Sequence, residues 1–132
     1  MFVEDSKVAL LKELVDKSGA QLVLSSTWRF GAFPECNFLE EELKALKEKL
    51  AEFGLTILDV TPVSHDGYRG KEIDEWLKIN SSMVIESFII LDDDTDMKPW
   101  GSRLVQTSKG EGLKPNHVRR ALKLLKEKVE IK

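Results

Sequence analysis

Residues Phe88–Met97 read F-I-I-L-D-D-D-T-D-M: four apolar residues, then four carboxylates within five positions. The apolar half has the length and β-branching of a buried strand. The acidic half brings like charges close enough to repel unless water screens them or a cation sits among them. A strand end would fix these carboxylates on one side, and the spacing of Asp92 and Asp96 lets both reach one hard ion or its waters. The residues alone leave two readings open: a cation site, or a polar loop whose carboxylates cap the next turn or are solvated. An EF-hand is excluded. Its sixth and twelfth positions would fall on Met97 and Arg103 instead of Gly and Glu, and a strand precedes the loop.

Outward from this stretch, three further short segments read as strands. Q-L-V-L-S from Gln21 to about Ser25 is apolar without alternation, as strands covered on both faces tend to be. L-T-I-L-D-V (Leu55–Val60) and R-L-V-Q-T (Arg103–Thr107) follow the same pattern more weakly. Between them lie helical periodicities. Val8, Leu11, Leu14 and Val15 share one face from about Asp5 to Ser18, stopped by Gly19; Leu39, Leu43, Leu46, Leu50 and Phe53 form a second stripe, stopped by Gly54. A third helix over G-K-E-I-D-E-W-L-K-I-N turns Ile73, Trp76 and Leu77 inward. A fourth begins at Pro115 and buries Val118, Ala121, Leu122 and Leu125. The loop Arg29–Asn37 carries Gly, Pro and Asn and reads as irregular.

Helices alternating with short apolar strands predict an α/β domain with a mostly parallel, Rossmann-like sheet flanked by helices. Such sheets bind ligands beyond the carboxyl ends of their strands. S-S-T-W-R (Ser25–Arg29) and D-D-D-T-D (Asp92–Asp96) would then share one rim.

The 132 residues suit one domain with no internal linker, and 42% hydrophobic with 33% charged residues is a globular composition. A net charge of −3 argues against a generic polyanion binder. The single cysteine, Cys36, forms no intrachain disulfide, and a cytoplasmic setting is expected. The first twenty residues interleave charge with apolar positions, unlike a signal peptide. No apolar run approaches the roughly 20 residues of a membrane span.

Several polar groups could carry chemistry. Hydroxyls on Ser25, Ser26 and Thr27, backed by Arg29, can hold phosphate oxygens at a strand end, although such a turn is also an ordinary cap. Trp28 reads as an aromatic wedge under the loop. Arg69 and Lys71 stand at a helix start, where positive charge opposes the helix dipole, so an anion or the acidic cluster would explain them. His65 and His117 are assigned no role, and the cations of the last helix read as its wet face.

Taken together, G-A-Q-L-V-L-S-S-T-W-R, R-G-K-E-I-D-E-W-L, F-I-I-L-D-D-D-T-D-M and R-L-V-Q-T-S-K-G-E-G-L resemble, in order and spacing, the haloacid dehalogenase-like (HAD) hydrolase superfamily. More narrowly, they resemble the HAD domains associated with RNA-repair proteins. The resemblance implies phosphate binding by Ser25 or Ser26, with Arg29 behind them. It also implies charge neutralisation by Arg69 or Lys71, and Mg²⁺ held by Asp92 with Asp93 and Asp96.

The family also begins with a strand carrying D-x-D, the nucleophile and the acid–base, whereas this chain opens on the helix that follows that motif. Asp5, at a helix head, is a poor substitute. A permuted chain using Asp92–Asp96 as the catalytic pair is disfavoured, because the family's fifth position is Thr or Val and here it is Asp96. The expectation is one HAD-like domain over residues 1–132, N-terminally incomplete, and inactive or truncated as it stands. A phosphorylated small molecule or nucleotide is the expected ligand, with neither direct nucleic-acid nor membrane binding. Because the absent strand is normally central, a homodimer through the incomplete sheet is a further expectation. The rival is a non-catalytic module that binds a phosphorylated ligand or assembles subunits.

Overall fold

The computed structural model describes residues 5–25, 40–63, 67–108 and 111–129. Ser26, Thr27, Trp28, Arg29, Cys36, Leu39 and His65 lie outside them. Helices form where apolar residues recur at helical spacing. α1 (Asp5–Ser18) buries Val8 and Leu14, and α2 (Glu40–Glu52) buries Leu43, Leu46 and Leu50. Each ends on a glycine in the left-handed region, Gly19 at φ 73° and Gly54 at φ 75°. The Gly19 N–H donates to the Val15 carbonyl at 2.8 Å, closing the last turn. α3 (Arg69–Ile79) buries Ile73, Trp76 and Leu77, and α4 (Pro115–Leu125) buries Val118 and Ala121. Each such large apolar side chain contributes roughly 1.5–3 kcal/mol relative to exposure.

The strands are β1 (Leu22–Leu24), β2 (Ile57–Val60), β3 (Ile90–Asp92) and β4 (Leu104–Gln106). β1 pairs with β2 and β3 with β4, both parallel. The single sheet expected from the sequence is therefore corrected: among the described residues it is two separate two-stranded pairs. Val84–Ile89 lead into β3 without entering a ladder. Arg103, expected in the fourth strand, sits in a 3₁₀ turn (Gly101–Arg103) and is 6% exposed.

Alternation of side chains shows that both pairs lie in one layer. Leu22 and Leu24 pack with Val8, Leu46 and Leu50 on the α1–α2 side, while Val23 packs with Ile73, Trp76 and Ile90 against α3. Ile89 and Leu91 pack with Leu14 and Val118 between α1 and α4. Each pair thus has α1 on one face and α3 on the other. Between the pairs is a cavity of about 720 Å³. No described helix is long and apolar enough to cross a membrane.

His117 corrects a second expectation. It is buried, and its Nδ1 accepts the Lys114 N–H at 2.9 Å, capping the first turn of α4. Burial, then the charges of Lys114, Lys7 and Arg120, lower its pKa from the ordinary histidine value. The unfolded chain therefore takes up the proton first, so the His117 contribution is complete above about pH 6.5 and declines as pH falls toward the depressed native value. His117→Gln keeps an acceptor for the cap without titrating. Its urea midpoint should lose less than the wild type's on going from pH 7 to pH 5; equal losses would assign the acid sensitivity elsewhere.

Candidate functional site

α3 starts with an arginine and has no capping side chain of its own at Tyr68. Its orphan donors are met from the acidic turn instead. The Arg69 N–H donates to Asp96 Oδ2 at 3.3 Å, and the Gly70 N–H donates to the Asp96 carbonyl at 2.9 Å. A carboxylate at this end also suits the positive pole of the helix. The Arg69 guanidinium donates to Asp92 Oδ2, with the two side chains only 17% and 12% exposed. The cation that is unfavourable for its own helix is thus placed by the acidic strand end. Contact between the start of α3 and the turn after β3 brings Arg69 to the carboxyl end of β3.

The approach is close because residue 70 is glycine. A Cβ there would overlap the backbone carbonyls of Met97 and Lys98. Met97, fully buried, anchors the far side of the turn in the α3 cluster, and Trp100 Nε1 donates to Asp74 Oδ1 at 3.0 Å.

Asp92 closes the turn from within: its Oδ1 accepts the Asp94 N–H at 2.9 Å, and its carbonyl accepts the Thr107 N–H of the segment after β4 at 2.8 Å. Burial pushes the Asp92 carboxyl above the ordinary aspartate value. The Asp94 amide and the Arg69 charge oppose that rise, and Asp93 adds to it. Asp92, Asp93 and Asp94 each offer a carboxylate oxygen, all within 4.8 Å of one another.

Residues 2–118 match the family described as the HAD domain in Swiss Army Knife RNA repair proteins. The chain belongs to this family. No curated protein and no solved structure matches it.

In this HAD domain the structure brings Arg69 together with Asp92 and Asp96. Asp93 stands beside them, and Asp94, which the sequence reading did not assign to the metal, joins the carboxylate group. Asp96 is turned toward the start of α3, while its Oδ1 is buried and finds no hydrogen-bond partner among the described residues. Lys71 is exposed on α3, and Ser25 is half-buried just past β1. Ser26 and Arg29 lie outside the described residues.

Three positions escaped the sequence reading. Gly70 and the buried Glu72 sit inside R-G-K-E, where the two flanking cations drew attention. Thr61 follows β2, is 3% exposed, and has an Oγ1 without a partner among the described residues. A hydroxyl directly after an apolar strand was the available signal.

Proposed function

We propose that this HAD domain binds a phosphate group together with a divalent cation at the rim formed by β3 and the start of α3, and that the 132-residue chain hydrolyses phosphate esters little or not at all. The observation that carries the reading is the Arg69–Asp92 pair beside Asp93 and Asp94. Three hard carboxylate oxygens within 4.8 Å of one another fit Mg²⁺. The orphaned Asp96 Oδ1 adds a fourth oxygen nearby in sequence. Asp92, Asp93 and Asp94 would hold the ion. When bound, Mg²⁺ supplies positive charge that draws a phosphate to a strongly acidic rim.

The chain's own residues supply the rest. Arg69 offers a planar fork of donors suited to phosphate oxygens. Ser25 would add a hydroxyl donor for the same group, with Ser26 and Arg29, outside the described residues, as the further donors the family resemblance implies, and exposed Lys71 would attract anions. Every D-x-D in the chain falls inside the acidic turn Asp92–Asp96. Asp92 is engaged by Arg69 and Asp96 by the α3 amides, and Asp94 would serve the cation, which supports reading none of them as a covalent nucleophile. The expected ligand is a phosphorylated small molecule or nucleotide.

Thermal unfolding with Mg²⁺ and inorganic phosphate tests binding. A cation about 100-fold above its Kd stabilises by about 2.7 kcal/mol, which raises Tm by several degrees. Asp92→Asn should remove that gain yet remain folded, since its amide oxygen can still accept the Asp94 N–H that closes the turn. An unchanged Mg²⁺ response in Asp92→Asn would refute the site. Turnover of an aryl phosphate that is lost in Asp92→Asn would instead make this chain an active phosphatase.

A further inference from the structure

We infer that the exposed face of α4 is a docking surface for a double-stranded nucleic acid, held through its phosphates. The net charge of −3, which argues against a generic polyanion binder, conceals a segregation. Residues 114–132 carry seven Lys or Arg against two Glu, a net of +5, which leaves −8 on residues 1–113. α4 itself (Pro115–Leu125) contains no carboxylate. At about 100° per residue, Arg119, Arg120, Lys123 and Lys126 fall within an arc of roughly 120°, opposite the buried Val118 and Ala121. All four are exposed, and none forms an ion pair among the described residues.

The other helices show what a simply solvated face looks like in this protein. α1 pairs Lys12 with Asp16 and Lys17 with Glu13, α2 pairs Lys49 with Glu52, and α3 pairs Lys78 with Asp74. On α4 the corresponding neighbours, three and four positions apart, are like charges that repel. The helix dipole accounts for Lys123 and Lys126 near the C-terminus, but not for Arg119 and Arg120 in the first half. The positive field also extends past the helix. The Lys7 Nζ, from α1, donates to the Leu113 carbonyl at 2.8 Å, which holds that cation beside the start of α4. The charges of Lys114, Lys7 and Arg120 together reach the buried His117 and help to lower its pKa.

Charge complementarity selects a dense polyanion. The four cations span about 10 Å of helix, and each strand of a duplex carries a phosphate roughly every 3.4 Å along its axis. Arg119 and Arg120 add planar forks that fit phosphate oxygens. The composition of the face favours a duplex over a single strand. No Phe, Trp or Tyr follows Trp100, so α4 offers no ring on which an unpaired base could stack. Contact is then confined to the phosphates, which a duplex presents at fixed intervals outside its paired bases. The surface uses none of the residues at the Arg69–Asp92 rim, and the inference is independent of the phosphate and cation reading there.

The test is fluorescence anisotropy of the full chain with a labelled RNA hairpin in Mg²⁺-free buffer, so that no cation bridges phosphate to the acidic turn. Saturable binding is expected. Its log affinity should fall against log salt with a slope of about −3 to −4, roughly a 100-fold loss between 50 and 200 mM. Arg119→Gln/Arg120→Gln/Lys123→Gln should weaken binding and flatten the slope by about one per charge removed. Arg119→Lys/Arg120→Lys should retain most of the binding. Lys12→Gln/Lys17→Gln/Lys78→Gln removes the same charge from other helices and should bind as the wild type does. Equal weakening by the two triple variants would show an effect of bulk charge alone and overturn the α4 surface. So would no saturable binding at 50 mM salt, or tighter binding to polyglutamate or to phosphatidylserine vesicles than to the hairpin. Asp92→Asn should bind the hairpin unchanged, which separates this result from the fate of the cation site.

Discussion

Gly70→Ala should destabilise the protein by about 3 kcal/mol, although helix propensity alone would make the same change stabilising by about 1 kcal/mol. The opposition in sign makes the experiment decisive. Gly70 lies in the first turn of α3, where alanine is ordinarily the better residue. Its missing Cβ is what allows the backbone of Met97 and Lys98 to lie against the helix. A clash with backbone cannot be relieved by turning a side chain, so either α3 or the acidic turn must move. Movement of either would stretch the Gly70–Asp96 and Arg69–Asp96 hydrogen bonds and separate Arg69 from Asp92. Gly101→Ala serves as the control, because a Cβ there meets nothing within 4 Å. Urea unfolding of both variants reads the effect. A Gly70→Ala protein as stable as the wild type would mean that α3 and the turn do not approach this closely, and the shared rim would be lost with them.

Arg103→Ala should cost about 2–4 kcal/mol, because buried neutral acceptors left without a donor cost about 1–3 kcal/mol each. Its Nε donates to the Phe88 carbonyl at 2.9 Å, and one terminal nitrogen donates to Ser87 Oγ at 2.8 Å and to the Leu124 carbonyl at 2.9 Å. The guanidinium also lies 5.9 Å from the centroid of the Phe88 ring. The Leu124 carbonyl, in the last turn of α4, also accepts the Glu127 N–H at 2.9 Å, so Arg103 adds a second donor to it. The ion pair with Glu127 is a lesser matter, since that carboxylate is 63% exposed and 3.6 Å away. Glu127→Gln should therefore change stability by less than about 0.5 kcal/mol. Comparable losses from the two variants would put the energy in the charge pair and not in the buried hydrogen bonds. Because Arg103 ties Ser87 and Phe88 to α4, its loss should also loosen the segment Val84–Ile89 that leads into β3.

The HAD kinship was readable from the order and spacing of four segments, and the family match over residues 2–118 shows it. The helices were equally legible. Val8 and Leu14, or Leu43, Leu46 and Leu50, repeat at the helical period, and Gly19 and Gly54 stop their helices by a local conformational need. Such signals involve residues within a few positions of one another, so the order of residues alone contains them. The carboxylates of Asp92–Asp96 and the cations of R-G-K could likewise be picked out as unusual for their places.

What joined them could not be read in the same way. Arg69 and Asp92 are 23 positions apart, and their contact depends on α3 folding back over β3. The role of Asp96 as a distant cap for α3, the glycine required at position 70, and the burial of Arg103 and His117 all follow from which surfaces meet. The split of the sheet is of the same kind. Val84–Ile89 have the composition of a strand, but a strand exists only beside a partner, and the composition of one segment does not say whether a partner is there. Sequence alone settled the helices and the family, because local periodicity and motif order need no neighbours. Tertiary structure alone decided the pairing of charges, the buried polar partners and the split of the strands into two pairs, because each depends on groups distant in the chain and adjacent in space.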